Sequence, residues 1–129
     1  MDNMNMDLMT SLGIEFIKTE KDNVTLTMPV DERTHQSAGF LHGGASVLLA
    51  ETAASIGGFM NINQETELVF GIEINANHIK SKREGIVTAV ATPIHIGKTT
   101  MVWNIRITDE ENDLISISRC TLGVVPKKK

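Results

Sequence analysis

The sequence predicts an α+β domain, an antiparallel sheet of about six strands wrapped around one long central helix. Three observations lead there. The run from Phe40 to Gln64, FLHGGASVLLAETAASIGGFMNINQ, holds one charged residue, Glu51, and its Ala45–Ile56 part is apolar on most sides with helix-forming composition. Beyond that run the chain changes to long segments of period-two alternation, clearest in Thr88-Ala89-Val90-Ala91-Thr92 and Ile105-Arg106-Ile107-Thr108. Short polar turns join those segments, which favours antiparallel neighbours. A uniformly apolar helix is buried most simply when such a sheet curves around it.

The elements follow in order. Asn5 to Leu12 reads as a short amphipathic helix stopped by Gly13. Ile14–Thr19 and Val24–Val30 resemble strands, with Glu20-Lys21-Asp22-Asn23 as the turn between them. The polar segment Asp31–Phe40, DERTHQSAGF, leads irregularly into the central helix. Gly57-Gly58 weakens the end of that helix, and Asn61–Glu67 is a polar loop. Leu68–Ile79, Gly85–Ile96, Thr99–Thr108 and Leu114–Val125 are the remaining strands, turned at Ser81–Glu84, Gly97-Lys98 and Asp109–Asp113.

No repeat, linker or low-complexity stretch divides the 129 residues, so residues 1–129 are expected to form one domain with a sizeable core. A net charge of −4 argues against binding nucleic acid by broad phosphate neutralisation. Lys127, Lys128 and Lys129 read as a solvated basic tail. The one cysteine, Cys120, lies in an alternating run and is expected as a small packed residue; it can build neither a disulfide framework nor a cysteine zinc site. MDNMNMDLM lacks a basic segment followed by an apolar one, and no apolar run is long enough for a membrane span. A reduced, cytoplasmic setting without membrane partners is the expectation.

The chemistry centres on Glu51. An ionised carboxylate on an apolar helix is costly to bury, so it needs a structural partner or a task. His42-Gly43-Gly44 precedes the helix. The glycines either let a ligand come close to the backbone or only permit a tight turn and close packing. The unpaired N–H groups and positive dipole of a helix start suit a developing oxyanion. Glu51 lies eight residues beyond Gly43, roughly 12 Å along a helix. If both act on one substrate, a second copy of the chain must supply one of them. Ser55, four residues after Glu51, shares its face and either bonds the carboxylate or a water, or bonds back to the Glu51 carbonyl. Gln36 in the polar segment can donate from its amide. His42 can donate to a substrate or orient the loop, in the neutral form that a helix N-terminus favours. His35, His78 and His95 form no metal-ligand motif with a carboxylate, so no metal and no cofactor are expected. Nucleophile-elbow, phosphate-loop and dinucleotide fingerprints are absent.

The segment Thr34–Met60, THQSAGFLHGGASVLLAETAASIGGFM, resembles the central motif of hotdog-fold acyl-CoA thioesterases of the phenylacetic-acid-degradation type. GIEINANH from Gly71 to His78 and PIHIGKTT from Pro93 to Thr100 are similar to the branch that holds 4-hydroxybenzoyl-CoA and 1,4-dihydroxy-2-naphthoyl-CoA thioesterases. The likeness runs from about Leu8 to Val125. It implies the hotdog fold and acyl-CoA hydrolysis, on aromatic or medium-length acyl groups with 1,4-dihydroxy-2-naphthoyl-CoA among the candidates. It also implies a homodimer with sheets joined edge to edge and shared active sites, paired again into a tetramer. Glu51 would be the base or nucleophile, the Gly43 N–H would polarise the carbonyl, and Gln36, His42 and Ser55 would assist. His78 would contact the ligand. Lys80, Gly97 and Lys98 would hold the coenzyme A phosphates, although Lys80 replaces an arginine common there and loses its planar fork. The same fold also serves hydratases or dehydratases, which the spacing from His42-Gly43-Gly44 to Glu51 fits less well, and non-catalytic acyl-CoA-binding proteins, which would bind acyl-CoA without releasing thiol.

Overall fold

The computed structural model describes residues 7–128. Along the chain it holds α1 (Leu8–Ser11), β1 (Glu15–Glu20), β2 (Asn23–Val30), α2 (Gly43–Met60), β3 (Glu67–His78), β4 (Gly85–Ile96), β5 (Thr100–Thr108) and β6 (Leu114–Pro126). The six strands form one sheet in the order β1-β2-β4-β5-β6-β3, with every neighbouring pair antiparallel. No helix among the described residues is long and apolar enough to cross a membrane.

Period-two burial builds the wrap. Val24, Leu26, Met28 and Val30 of β2 point to one face with Val87, Ala89 and Ala91 of β4 and Met101, Trp103, Ile105 and Ile107 of β5. Cys120 and Leu122 of β6 continue that face. Leu49, Ala50, Ala53 and Ala54 of α2 fill its concavity, and α2 touches all six strands. Small helix residues let the backbone of α2 come close to the curved sheet.

The glycine pair in α2 behaves differently from expectation. The helix runs through Gly57-Gly58 to Met60, and both glycines are buried. A Cβ at Gly57 would run into the Trp103 indole, and one at Gly58 would stand 2.5 Å from Leu122 Cδ1. These glycines serve close helix–sheet packing, not termination. Asn61 ends the helix, its amide donating to the Gly57 carbonyl at 2.8 Å. At the other end, α2 starts at Gly43, two residues before the stretch of helix-forming composition, because His42 caps it. The expected first helix is shorter, and its Asn5 and Met6 fall outside the described residues. Cys120 is a buried core residue, as expected.

Two strands are sheet edges. β1 is exposed throughout, and among the described residues β3 pairs only with β6. Phe70 and Ile72 of β3 stand more than half exposed. A long edge strand with unpaired backbone groups and apolar side chains is a ready surface for pairing with another strand.

Candidate active site

The loop before α2 is pinned from several sides. The His42 N–H bonds the Thr34 carbonyl, the Leu41 N–H bonds the Lys82 carbonyl, and the Thr34 hydroxyl donates to the Pro29 carbonyl, each at 2.8 Å. The Arg83 guanidinium lies 4.3 Å over the Phe40 ring. Within this loop Gln36 Oε1 accepts from the Ala38 N–H at 2.6 Å and the Phe40 N–H at 3.2 Å. Those two donors fix the amide orientation. The Gln36 NH2 group is therefore the one left to donate outward.

His42 Nδ1 accepts from the Gly44 N–H at 2.8 Å. A backbone N–H can only donate, so the proton of a neutral ring sits on Nε2. A Cβ at Gly44 would stand 2.9 Å from that ring, and one at Gly43 would stand 3.0 Å from His78 Nε2. The two glycines thus let two imidazoles close over the helix start. The Ala45 and Ser46 N–H groups both bond the His42 carbonyl. The Gly43 N–H makes no hydrogen bond among the described residues.

Gln36, Gly43, His78 and Lys80 line one cavity of about 390 Å³. Ser46, one turn beyond Gly43 and only 2% exposed, lines it too. Its place at i+3 from Gly43 is the one sequence signal that puts it on this face.

Glu51 and Ser55 face a different cavity, of about 560 Å³, walled largely by Leu8, Met9, Leu48, Ile56, Phe59 and Val69. The Glu51 carboxylate is half-buried and makes no hydrogen bond or ion pair among the described residues. It leans on β3, where Gly71 leaves room for it. Burial pushes the thiol of Cys120 up to about 11, helped by the charges of Glu51 and Glu73. Thr52, not Ser55, bonds back along the helix, its hydroxyl donating to the Leu48 carbonyl at 2.7 Å. The hydroxyl of Ser55 lies one turn from the carboxylate in the same cavity.

Strand register separates the residues expected around a phosphate group. His78 pairs across β6, β5 and β4 with Ser116, Ile107 and Ala89. The β4–β5 hairpin that carries Gly97 and Lys98 lies on the row of Gly71, Leu122, Met101 and Ile96. Seven residues of β3 separate those rows, about 23 Å at about 3.3 Å per residue. One chain therefore does not bring Lys80 together with Lys98. Lys80 Nζ sits 2.6 Å from the Asp113 carboxylate and 3.6 Å from Asp109, and the Asp113 hydrogen bond holds its pKa above the ordinary lysine value. Lys98 is exposed, and the Gly97 N–H closes the hairpin on the Thr100 carbonyl at 2.9 Å.

The geometry is that of two half-sites: donors without an acceptor at the start of α2, and a carboxylate without a donor two turns along it. Known proteins share this chain's pattern. The sequence pattern of a family described as the thioesterase superfamily matches residues 38–116. A 1,4-dihydroxy-2-naphthoyl-CoA hydrolase of Listeria monocytogenes is 53% identical over 124 residues, 96% of this chain and all of that one. The enzyme of the same name from Escherichia coli K12 is 46% identical over 114 residues, 88% of this chain and 83% of its own. A Staphylococcus aureus protein solved as a glutamate-to-alanine variant superposes with a TM-score of 0.92 at 40% identity, covering 94% of this chain and all of that one. The same protein, there called a thioesterase, was solved as a glutamine-to-alanine variant, with a TM-score of 0.90 at 39% identity over 92% of this chain and 98% of that one. Its two replaced positions stand fifteen residues apart, the separation between Gln36 and Glu51 here. On a family match over more than half its length and on identity to these hydrolases across nearly all of it, the chain belongs to the thioesterase superfamily and is a thioester-hydrolysing enzyme of the hotdog fold.

Proposed function

We propose that the enzyme hydrolyses acyl-CoA thioesters at a site completed by two copies of the chain. The observation that carries this reading is the split on α2. The Gly43 N–H and Gln36 amide face one cavity, and the Glu51 carboxylate faces another. In a dimer joined along β3, the carboxylate of one protomer would meet the donors of the other. The exposed apolar side chains of that edge support such a join. A further pairing into a tetramer is part of the same proposal.

The substrate carbonyl would accept from Gly43 N–H, with Gln36 and His42 Nε2–H as further donors. Charge developing on the oxygen then meets dipoles already oriented for it. Glu51 either takes a proton from a water that Ser55 helps to hold, or attacks the carbonyl carbon itself. In the first route the water oxygen forms the new C–O bond as the C–S bond breaks, which gives the acid directly; in the second the C–O bond is to Glu51, and a water then hydrolyses the acyl anhydride to the acid and the free carboxylate. In both the thiolate leaves and is protonated to free coenzyme A. His78, against Gly43, would line the path of the acyl group. Gly97 and Lys98 at the hairpin would meet the phosphates, with Lys80 contributing if it leaves Asp113.

The largely apolar cavity beside Glu51 is within the usual size of a small-molecule pocket. That supports an aromatic or medium-length acyl group. The names of the Listeria and Escherichia relatives make 1,4-dihydroxy-2-naphthoyl-CoA the first substrate to test. The experiment is thiol release over a panel of aromatic and aliphatic acyl-CoAs, run beside Glu51→Ala. Glu51→Ala is expected to keep its melting temperature and lose turnover by about 10³-fold or more. Near-native turnover by Glu51→Ala would overturn the mechanism. Hydration of an enoyl-CoA without thiol release would point to the hydratase chemistry of the same fold.

A further inference from the structure

We infer that Gly71 is a positioning residue for Glu51, kept without a side chain so that the carboxylate can rest against β3. The inference builds on the reading of Glu51 as the acting carboxylate and adds what sets its place.

Gly71 lies inside β3, paired with Leu122. A glycine there weakens a strand, so it calls for a reason. Backbone conformation is not that reason. The glycines in the left-handed region are Gly13, Gly39 and Gly85, and Gly71 is not among them. An alanine could adopt its φ without strain. Space is the reason. A Cβ at Gly71 would run into the Oε2 of Glu51 and stand 3.4 Å from its carboxyl carbon, and the three atoms nearest to it all belong to Glu51. The register shifts between Gly71 and Glu73, so the strand is irregular beside this contact.

The contrast with α2 separates the two kinds of glycine. At Gly57 and Gly58 an added Cβ meets Trp103 and Leu122, core side chains that cannot swing away. At Gly71 it meets the free end of a flexible side chain that has no hydrogen bond among the described residues to hold it. The fold can therefore absorb a methyl group at Gly71 by letting the carboxylate rotate off the strand. The cost falls on where the carboxylate oxygen stands, not on folding.

Gly71→Ala tests this with the aromatic acyl-CoA that the wild type turns over fastest. Expected are a kcat lower by about 30-fold or more, a KM within about threefold, and a melting temperature within about three degrees of wild type. The second arm repeats the change in Glu51→Asp, whose carboxylate is one methylene shorter. There Gly71→Ala is expected to cost less than about threefold in residual kcat, because the clash is gone. Three results each overturn the inference: an unchanged kcat in Gly71→Ala, the same fold-loss in both backgrounds, or a variant that fails to fold. Full activity in Glu51→Ala would instead sink the functional reading itself, whatever Gly71→Ala does.

Discussion

Cys120 shows what burial beside a carboxylate does to a thiol. Cys120 and Glu51 both lie where α2 crosses β3 and β6, but Cys120 is fully buried and Glu51 borders a cavity. Burial raises the pKa of the thiol, and the neighbouring charges of Glu51 and Glu73 add to it. A thiol held up to about 11 against an ordinary 9.0 stays protonated when native. Native Cys120 is therefore expected to resist alkylation at pH 8 and to react promptly after unfolding, as mass spectrometry of iodoacetamide-treated protein would read. Between its ordinary and its raised pKa the unfolded chain ionises first. Stability contributed by Cys120 is therefore present below about 9 and lost as pH rises towards 11. Fast native labelling at pH 8 would contradict this burial. That Cys120 is a small core residue was legible from its place in an alternating run. That its neighbour across the packing is the chain's most unusual carboxylate was not, because Glu51 and Cys120 are far apart in sequence.

At the scale of elements, the tight fit of α2 into the sheet governs the cost of change. Gly57→Ala would raise helix propensity by up to about 1 kcal/mol, yet its Cβ meets Trp103, whose ring is fully buried. Overpacking a tight interface costs about 1–3 kcal/mol, so the net outcome expected is a loss of stability. Urea unfolding of Gly57→Ala should show a lower midpoint with an unchanged slope. A gain in stability would mean that the sheet yields easily at this point. The helix itself was legible from composition and from its lone charge. The stretch of helix-forming composition, Ala45–Ile56, begins two residues inside the helix and stops four short of its end. The glycines mark the start only together with His42, because a cap by its Nδ1 carries no composition signal. Glycines read as helix terminators in isolation, whereas here close packing against Trp103 and Leu122 carries the helix through Gly57 and Gly58 to Met60.

Across the whole molecule, the proposed sharing of each site between two protomers would make assembly a condition for activity. The test is to mix two variants that each lack one half, Glu51→Ala and Gln36→Ala. A symmetric dimer with shared sites would, after subunit exchange at equal amounts, regain about a quarter of wild-type activity, because each hybrid holds one intact site. Sites contained within one chain would regain nothing. Light scattering on the same samples should find no active monomer.

The sequence by itself determined the class of fold and the order of elements, and it singled out the residues proposed to bear the chemistry. Those depend on local propensity, on periods of 3.6 and 2, and on residue types at fixed offsets, all written along the chain. It also determined that Gly43 and Glu51 are too far apart on one helix to share a carbonyl, since helical rise is a constant. Only the tertiary structure decided which surfaces these residues face. Curvature of the sheet set Gly43, Gln36, Ser46 and His78 around one cavity and Glu51 with Ser55 around another. Strand register put Lys80 and Lys98 on rows at opposite ends of the sheet. The same register laid Gly71 under the Glu51 carboxylate, twenty residues further along the chain. Pairing between distant segments arises from how strands align and how a helix seats, and no spacing within either segment records it.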